Sequence, residues 1–226
     1  MEIDTIWAVM AAYNEEEQIE KTLRSVFQYI PKVVVVDDAS SDNTGNTALR
    51  TGAHVLRHPV NLGQGAALQT GIEYALAMGA EYIVTFDADG QHDAAEILPM
   101  AKALQDSGAM IALGNRFMGK VVNISPRRKI LLKLAIYFTK LTSGGNFQDV
   151  HNGFRIMRRA FAMQFAFTQN RMAHASEILN YIVSHKIPYV EYPVTIAYTE
   201  YSIRKGQKNS DALRVLMELF TGYFFK

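Results

Sequence analysis

The sequence predicts an α/β protein with a doubly wound, mostly parallel sheet flanked by helices and an irregular helical C-terminal part. Three observations predict it. Short apolar runs rich in Val, Ile and Ala alternate with segments whose apolar residues recur at helical spacing. The runs are continuous, as in strands covered on both faces. A polar cluster follows each of the first four runs, at the strand ends where an open parallel sheet binds its ligands.

The elements follow in order. Thr5–Ala12 reads as a buried strand. Asn14 then reads as a helix N-cap, with Glu15, Glu16 and Glu17 in a first turn whose dipole favours anions. Ile19, Leu23, Val26 and Phe27 continue that helix. Lys32–Val36 is a second strand, and DDASSDNTGNT leads into a second helix. Ala53–Arg57 is a third strand, Gln64–Met78 a helix, Glu81–Phe86 a fourth strand, Ala94–Gln105 a helix and Met110–Gly114 a fifth strand. Beyond Gly119 the alternation ends. A basic–apolar helix over Arg127–Leu141, a helix around Ser176–His185 and a terminal helix from Ala212 are expected there.

Composition removes several classes. The chain has 226 residues, 49% of them apolar, and a net charge of +1, so no global field points to nucleic acid. With no cysteine there are no disulfides or thiolate zinc sites, which fits a reducing cytosol. The N-terminus is acidic where a signal peptide is basic, and no apolar run reaches the roughly 18 residues of a membrane span. A cytoplasmic protein, peripheral at the inner face of the membrane, is expected. SPRRKILLKLAIYFTKL can lie in a bilayer interface or form a core helix with a solvated basic face. The terminal ALRVLMELFTGYFFK can dock on the core, pair with a second copy or meet the membrane. A membrane-protein partner would then supply the anchor.

Four clusters carry chemistry: AYNEEE, DDASSDNT, HPVNLGQG and DADGQHD. Asp37 and Asp38 end an apolar strand and read as a solvated loop with a cap, or as acceptors for a base N–H or ribose hydroxyl. Asn61, Gly63 and Gly65 open a helix whose free N–H groups can receive an anion. Neither G-x-G-x-x-G nor a P-loop is present. Asp87 and Asp89 stand at i, i+2 on extended chain and face one side, an arrangement that holds Mg²⁺ or Mn²⁺ and leaves room for diphosphate oxygens; Gln91 and His92 are nearby candidates.

AAYNEEEQI, VVVVDDASSDNT, NLGQGAALQTGI, TFDADGQHD and GNRF, in this order, resemble the catalytic domain of inverting family 2 glycosyltransferases, which have the GT-A fold. HNGFRIMRR and YTEYSIRKGQ resemble the branch of dolichyl-phosphate-mannose synthases and bacterial polyprenyl-phosphate glycosyltransferases. The resemblance implies one GT-A-like domain over 1–226, with a nucleotide-sugar half at 1–118 and an acceptor half at 119–226. Ala11, Tyr13, Glu15 and Asp38, with Asp37 beside it, resemble the nucleotide pocket, bordered by Gly63, Gly65, Asp87 and Ala88. Asp87, Asp89 and Gln91 resemble the metal site, Arg116 and Arg128 the arginines that hold an acceptor phosphate, and Arg204 and Lys205 the late basic residues that close over the diphosphate.

The implied reaction is inverting transfer from a nucleoside-diphosphate sugar, UDP favoured, to polyprenyl phosphate. A phosphate acceptor needs no general base. A saccharide hydroxyl does, and Asp149 in FQDVHNGF is then the candidate; it reads equally as a carboxylate capping a turn. Glu177 reads as a structural helix-face residue, and His174 as structural or near the acceptor. Leu132 stands about where the lipid-phosphate enzymes carry a serine, and the C-terminal spans of several relatives are missing; both points weaken the polyprenyl-phosphate acceptor without removing it. Q-x-x-R-W is absent, against a processive synthase. A sugar nucleotidyltransferase would want a basic Gly-rich loop where AAYNEEE is acidic. A non-catalytic subunit would be free to lose Asp87 and Asp89.

Overall fold

The computed structural model describes residues 2–124, 136, 145, 147–150, 152–171 and 173–206. Seven strands form one sheet: β1 (Ile6–Ala12), β2 (Lys32–Asp37), β3 (His54–Arg57), β4 (Tyr82–Thr85), β5 (Ile111–Val122), β6 (Arg155–Arg158) and β7 (Tyr189–Ala197). Their order is β3-β2-β1-β4-β6-β5-β7. β2 and β4 flank β1 in parallel, with Val9 opposite both Val34 and Thr85. β6 is antiparallel to β4 and β5. The helices are α1 (Ile19–Phe27), α2 (Thr44–Arg50), α3 (Gln64–Ala77), α4 (Ile97–Ser107), α5 (Arg159–Ala162), α6 (His174–Ser184) and α7 (Glu200–Gly206).

The two-residue period of the strands sorts the core into two layers. Ile6, Ala8, Met10, Val33, Val35 and Val84 pack with Leu23 and Val26 of α1 and Met100 and Leu104 of α4. Trp7, Val9, Val34, Ile83, Ile111 and Met157 face Leu68 and Ile72 of α3 and Ile178 and Ile182 of α6. With both faces covered, Val33–Val36 is buried without a break, which explains its unbroken apolar run.

The parallel half matches expectation closely. Asn14 is a correction: it does not cap α1, which begins at Ile19 after Gln18. Asn14 has a left-handed φ of 54°, and its Oδ1 accepts from Ser41 N–H at 2.8 Å. Short polar side chains tolerate that conformation, so Asn14 turns the chain rather than starting a helix. The three glutamates therefore reach other segments instead of lining a first helical turn. Beyond Gly119, β6, β7 and α7 replace irregular chain, and β5 runs on to Val122 past an irregularity between Asn115 and Lys120. The helices expected over Arg127–Leu141 and from Ala212 lie outside the described residues.

Candidate active site

The carboxyl ends of β1, β2 and β4 open into a cavity of about 740 Å³. Ala11, Tyr13, Glu15, Asp38, Gly63, Asp87, Ala88, Asp89, Gln91, Arg116 and Lys205, all expected from sequence, line it. Residues 119–226 add Gly153, Arg171, Ile196 and Ser202 to the wall.

Asp38 is buried and heavily engaged. Its Oδ1 accepts from Leu62 N–H (2.9 Å) and from His58 Nδ1 (2.7 Å), and its Oδ2 from Gly63 N–H (2.7 Å). Three of its roughly four acceptor positions are thus taken by the protein. Asp38 shapes the loop after β3 and keeps about one position for a ligand. Asp37 is no part of the wall. It is fully buried, accepts from Ser40 N–H at 2.9 Å, lies 3.4 Å from Arg57 Nη1 and abuts Gly45.

The anion cradle expected at the start of α3 is also corrected. Gly65 N–H donates to Asn170 O at 2.9 Å, and Gly63 N–H is held by Asp38. Gly63 has φ 103°, which glycine adopts without cost, and a Cβ on Gly65 would stand 2.1 Å from Gln169 O. The two glycines seat the loop before α6 against α3. Glu177 fastens that loop by accepting from Thr168 N–H and Gln169 N–H, both at 3.0 Å. His174 donates through Nδ1 to Arg171 O at 2.8 Å. Arg171 reaches the cavity on this braced loop, a residue the sequence reading missed because nothing local marks it.

Asp87 and Asp89 follow β4. Asp87 Oδ2 lies 2.9 Å from His92 Nε2, and Oδ1 accepts from Gln64 Nε2 at 3.2 Å. Burial works against the charge of Asp87, but His92, Arg155 and His174 outweigh it and hold the pKa below the ordinary value. Asp89 accepts from Gln91 N–H at 3.0 Å, and burial together with the negative charge of Asp87 raises its pKa to about 6. A divalent cation would relieve this repulsion. Among the described residues no three acidic, His or Cys side chains cluster to hold a metal alone. That donor set fits Mg²⁺ or Mn²⁺, which accept one or two carboxylates and take further oxygens from substrate phosphates.

Asp149 does not line the cavity. It is buried, and its Oδ2 accepts from Arg116 N–H (3.0 Å) and Arg116 Nε (2.6 Å). A carboxylate so paired is poorly placed to take a proton from substrate, which corrects the general-base reading. Arg116 also donates to Tyr198 Oη at 3.1 Å. Burial opposes its charge, but the Asp149 and Tyr198 oxygens raise its pKa above the ordinary value. Arg128, its expected companion, lies outside the described residues. Arg155, also missed from sequence, is buried near the same carboxylates, and burial pushes its pKa down to about 10 against their attraction.

α7 docks on the loop after β1. Tyr201 Oη donates to Glu15 Oε2 at 2.6 Å. Lys205 Nζ pairs with Glu15 and donates to Asn14 O at 2.8 Å and Tyr13 O at 3.1 Å. Arg204 lies at the surface on Glu17, 2.6 Å away, and is not on the cavity wall. Among the described residues no helix is long and apolar enough to cross a membrane.

An uncharacterised protein of Methanocaldococcus jannaschii is 33% identical over 98% of this chain and 93% of its own length. Polyprenol monophosphomannose synthase of Mycolicibacterium smegmatis is 29% identical, over 87% of this chain and 79% of that one. The UDP-N-acetylglucosamine–dolichyl-phosphate N-acetylglucosaminyltransferase of Methanococcus voltae is 28% identical over 89% of each. Glucosyl-3-phosphoglycerate synthase from Mycobacterium tuberculosis, crystallised with Mn²⁺, UDP and glucosyl-3-phosphoglycerate, superposes with a TM-score of 0.72 over 97% of this chain and 80% of that one, at 18% identity. The fold is therefore the GT-A glycosyltransferase fold. The model of glycosyl transferase family 2 matches residues 7–165, and the chain belongs to that family, as a glycosyltransferase.

Proposed function

We propose that the chain transfers a sugar from a nucleoside-diphosphate sugar, with UDP the favoured carrier, to polyprenyl phosphate with inversion at the anomeric carbon. The observation that carries this reading is the make-up of one cavity wall: Asp87 and Asp89 for a cation, beside Arg116, Arg171 and Lys205 for phosphates. Asp87 and Asp89 would hold Mg²⁺ or Mn²⁺, with Gln91 beside them. When bound, the ion neutralises charge on the departing diphosphate.

An oxygen of the acceptor phosphate attacks the anomeric carbon as the bond to the diphosphate oxygen breaks. The products are a polyprenyl phosphate sugar and a nucleoside diphosphate, and no proton has to move. This suits a site whose one sequence candidate for a base, Asp149, is committed to Arg116. A saccharide hydroxyl would need a base that the described wall does not offer in Asp149. Two of the relatives are named for polyprenyl- or dolichyl-phosphate acceptors, which supports the same choice. The UDP reading draws support from the crystallised neighbour. An acceptor of this kind places the enzyme at a membrane surface.

The test is calorimetric titration with UDP, GDP, dTDP and CDP, each with and without Mn²⁺, followed by transfer from the matching sugar nucleotide to a short polyprenyl phosphate. Metal-dependent binding of one nucleotide, abolished by Asp89→Ala, and a labelled lipid product are expected. Transfer only to a saccharide hydroxyl would overturn the acceptor, and binding of none of the four would overturn the donor.

A further inference from the structure

Arg155 is a buried cation whose side chain makes no hydrogen bond or ion pair among the described residues. It is 3% exposed, and its Nη1 is buried without a hydrogen-bond partner among the described residues. Asp87 and Asp149 attract it across a distance and form no hydrogen bond or ion pair with it. Oδ2 of Asp149 serves Arg116 and Asn152, and the two oxygens of Asp87 serve His92 and Gln64. An unpaired buried guanidinium works against folding, so its presence calls for a reason other than stability.

Its place in the sheet supplies one. The antiparallel insertion of β6 sets Arg155 opposite Thr85 on β4 and opposite Leu113 on β5. Thr85 donates to Gly153 O at 2.6 Å, and a Cβ on Gly153 would stand 2.5 Å from both oxygens of Asp87. Gly153 is on the cavity wall, and Arg155, two residues further along the chain, is the first residue of β6. The backbone just before β6 thus packs directly on Asp87, and the strand itself opens with a cation that this carboxylate attracts.

We propose that Arg155 is a positioning residue that offsets the paired charges of Asp87 and Asp89 from below, so that one wall accepts both a divalent cation and an anionic diphosphate. Asp87 and Asp89 alone would draw the cation and repel the donor. A fixed cation in a poorly polarisable interior acts over several ångströms without touching the substrate. The inference rests on the donor reading above.

Arg155→Met removes the charge and keeps most of the volume; Arg155→Lys keeps the charge. The measurements are Mn²⁺ affinity alone, UDP affinity at saturating Mn²⁺, and the melting temperature. For Arg155→Met, Mn²⁺ binding should tighten severalfold and UDP binding weaken roughly tenfold, opposite in sign because the two ligands carry opposite charge. Melting should be no lower than in the parent, and Arg155→Lys should stay near the parent in both affinities. Joint weakening of both ligands with a lowered melting temperature in both variants would make Arg155 structural and overturn the proposal. Unchanged affinities in Arg155→Met would also overturn it while leaving the donor reading intact. A parent that binds neither Mn²⁺ nor UDP overturns the donor reading and this inference with it.

Discussion

Asp149 presents one carboxylate oxygen to two N–H groups of the same residue, the backbone and Nε of Arg116, at 3.0 and 2.6 Å. The side chains are 1% and 7% exposed. Breaking one side of a buried pair costs about 3–5 kcal/mol because it strands the other charge. Asp149→Leu should therefore lower the urea midpoint sharply. Adding Arg116→Met should restore much of the stability while transfer stays lost, since Arg116 lines the cavity. A general base would behave otherwise: Asp149→Leu would fold like the parent, and the double variant would show no recovery.

The close approach of Gly65 to the loop before α6 makes a second test. The oxygen that an alanine methyl would meet belongs to the Gln169 backbone, which cannot rotate away as a side chain would. Gly65→Ala should cost about 1–3 kcal/mol, as overpacking does. The displaced loop carries Arg171, so the KM for the sugar nucleotide should rise as well. Arg171→Ala should raise that KM with no change in the urea midpoint, because Arg171 is exposed. An unchanged KM in Arg171→Ala would remove the arginine from the donor site.

What was legible in the sequence follows from this division. Val33–Val36 was readable because a parallel strand covered on both faces is apolar throughout, and Ile83 and Val84 give β4 the same buried centre. Asp87, Asp89 and Asp38 were readable because their place at strand ends is a local signal. β6 was not, since RIMR carries an arginine at each end and owes its pairing to neighbours far away in the chain. β7 hides behind Pro193, a residue tolerated because β7 is an edge strand. Arg155 is placed by the pairing of β6, and Arg171 by the contacts of its loop with Gly65 and Glu177, all of them long-range or non-local. The same cause misled the reading of Asn14, Gly65 and Asp149: their partners are Ser41, Asn170 and Arg116, none of them predictable from local pattern.

The docking of α7 on Glu15 predicts a nucleotide-sensitive latch. Tyr201 gives its phenol proton to Glu15 at 2.6 Å, and burial with the nearby carboxylates Glu15 and Glu17 raises its pKa, so it remains a donor. Tyr201→Phe removes one hydrogen bond to a charged group, an interaction of about 1.5–3 kcal/mol when buried and less at this half-exposed position. Amide hydrogen exchange in Glu200–Gly206 should quicken in this variant without nucleotide. Lys205→Ala should quicken that exchange too, since Lys205 holds Glu15, Asn14 O and Tyr13 O, and should weaken nucleotide binding more than Tyr201→Phe does, since Lys205 is the α7 cation on the cavity wall. Equal effects of both variants on exchange and on binding would show that α7 does not separate the two tasks.

His174 gives the pH prediction. It is 4% exposed, and burial first, with the charge of Arg155 second, lowers its pKa from 6.5 to about 4. Above pH 6.5 the imidazole is neutral in both the folded and unfolded chain, so it adds no pH dependence there. Between pH 6.5 and about 4 the unfolded chain binds a proton that the folded chain refuses, so stability falls as pH falls. The full loss is about 3 kcal/mol, reached near the lower end of that window. Urea unfolding at pH 7.5, 6, 5 and 4.5 should show this decline. His174→Asn keeps a donor for Arg171 O without a titrating group, and its curve should be flatter by the same amount. Equal slopes for parent and variant would assign the acid sensitivity to the carboxylates instead.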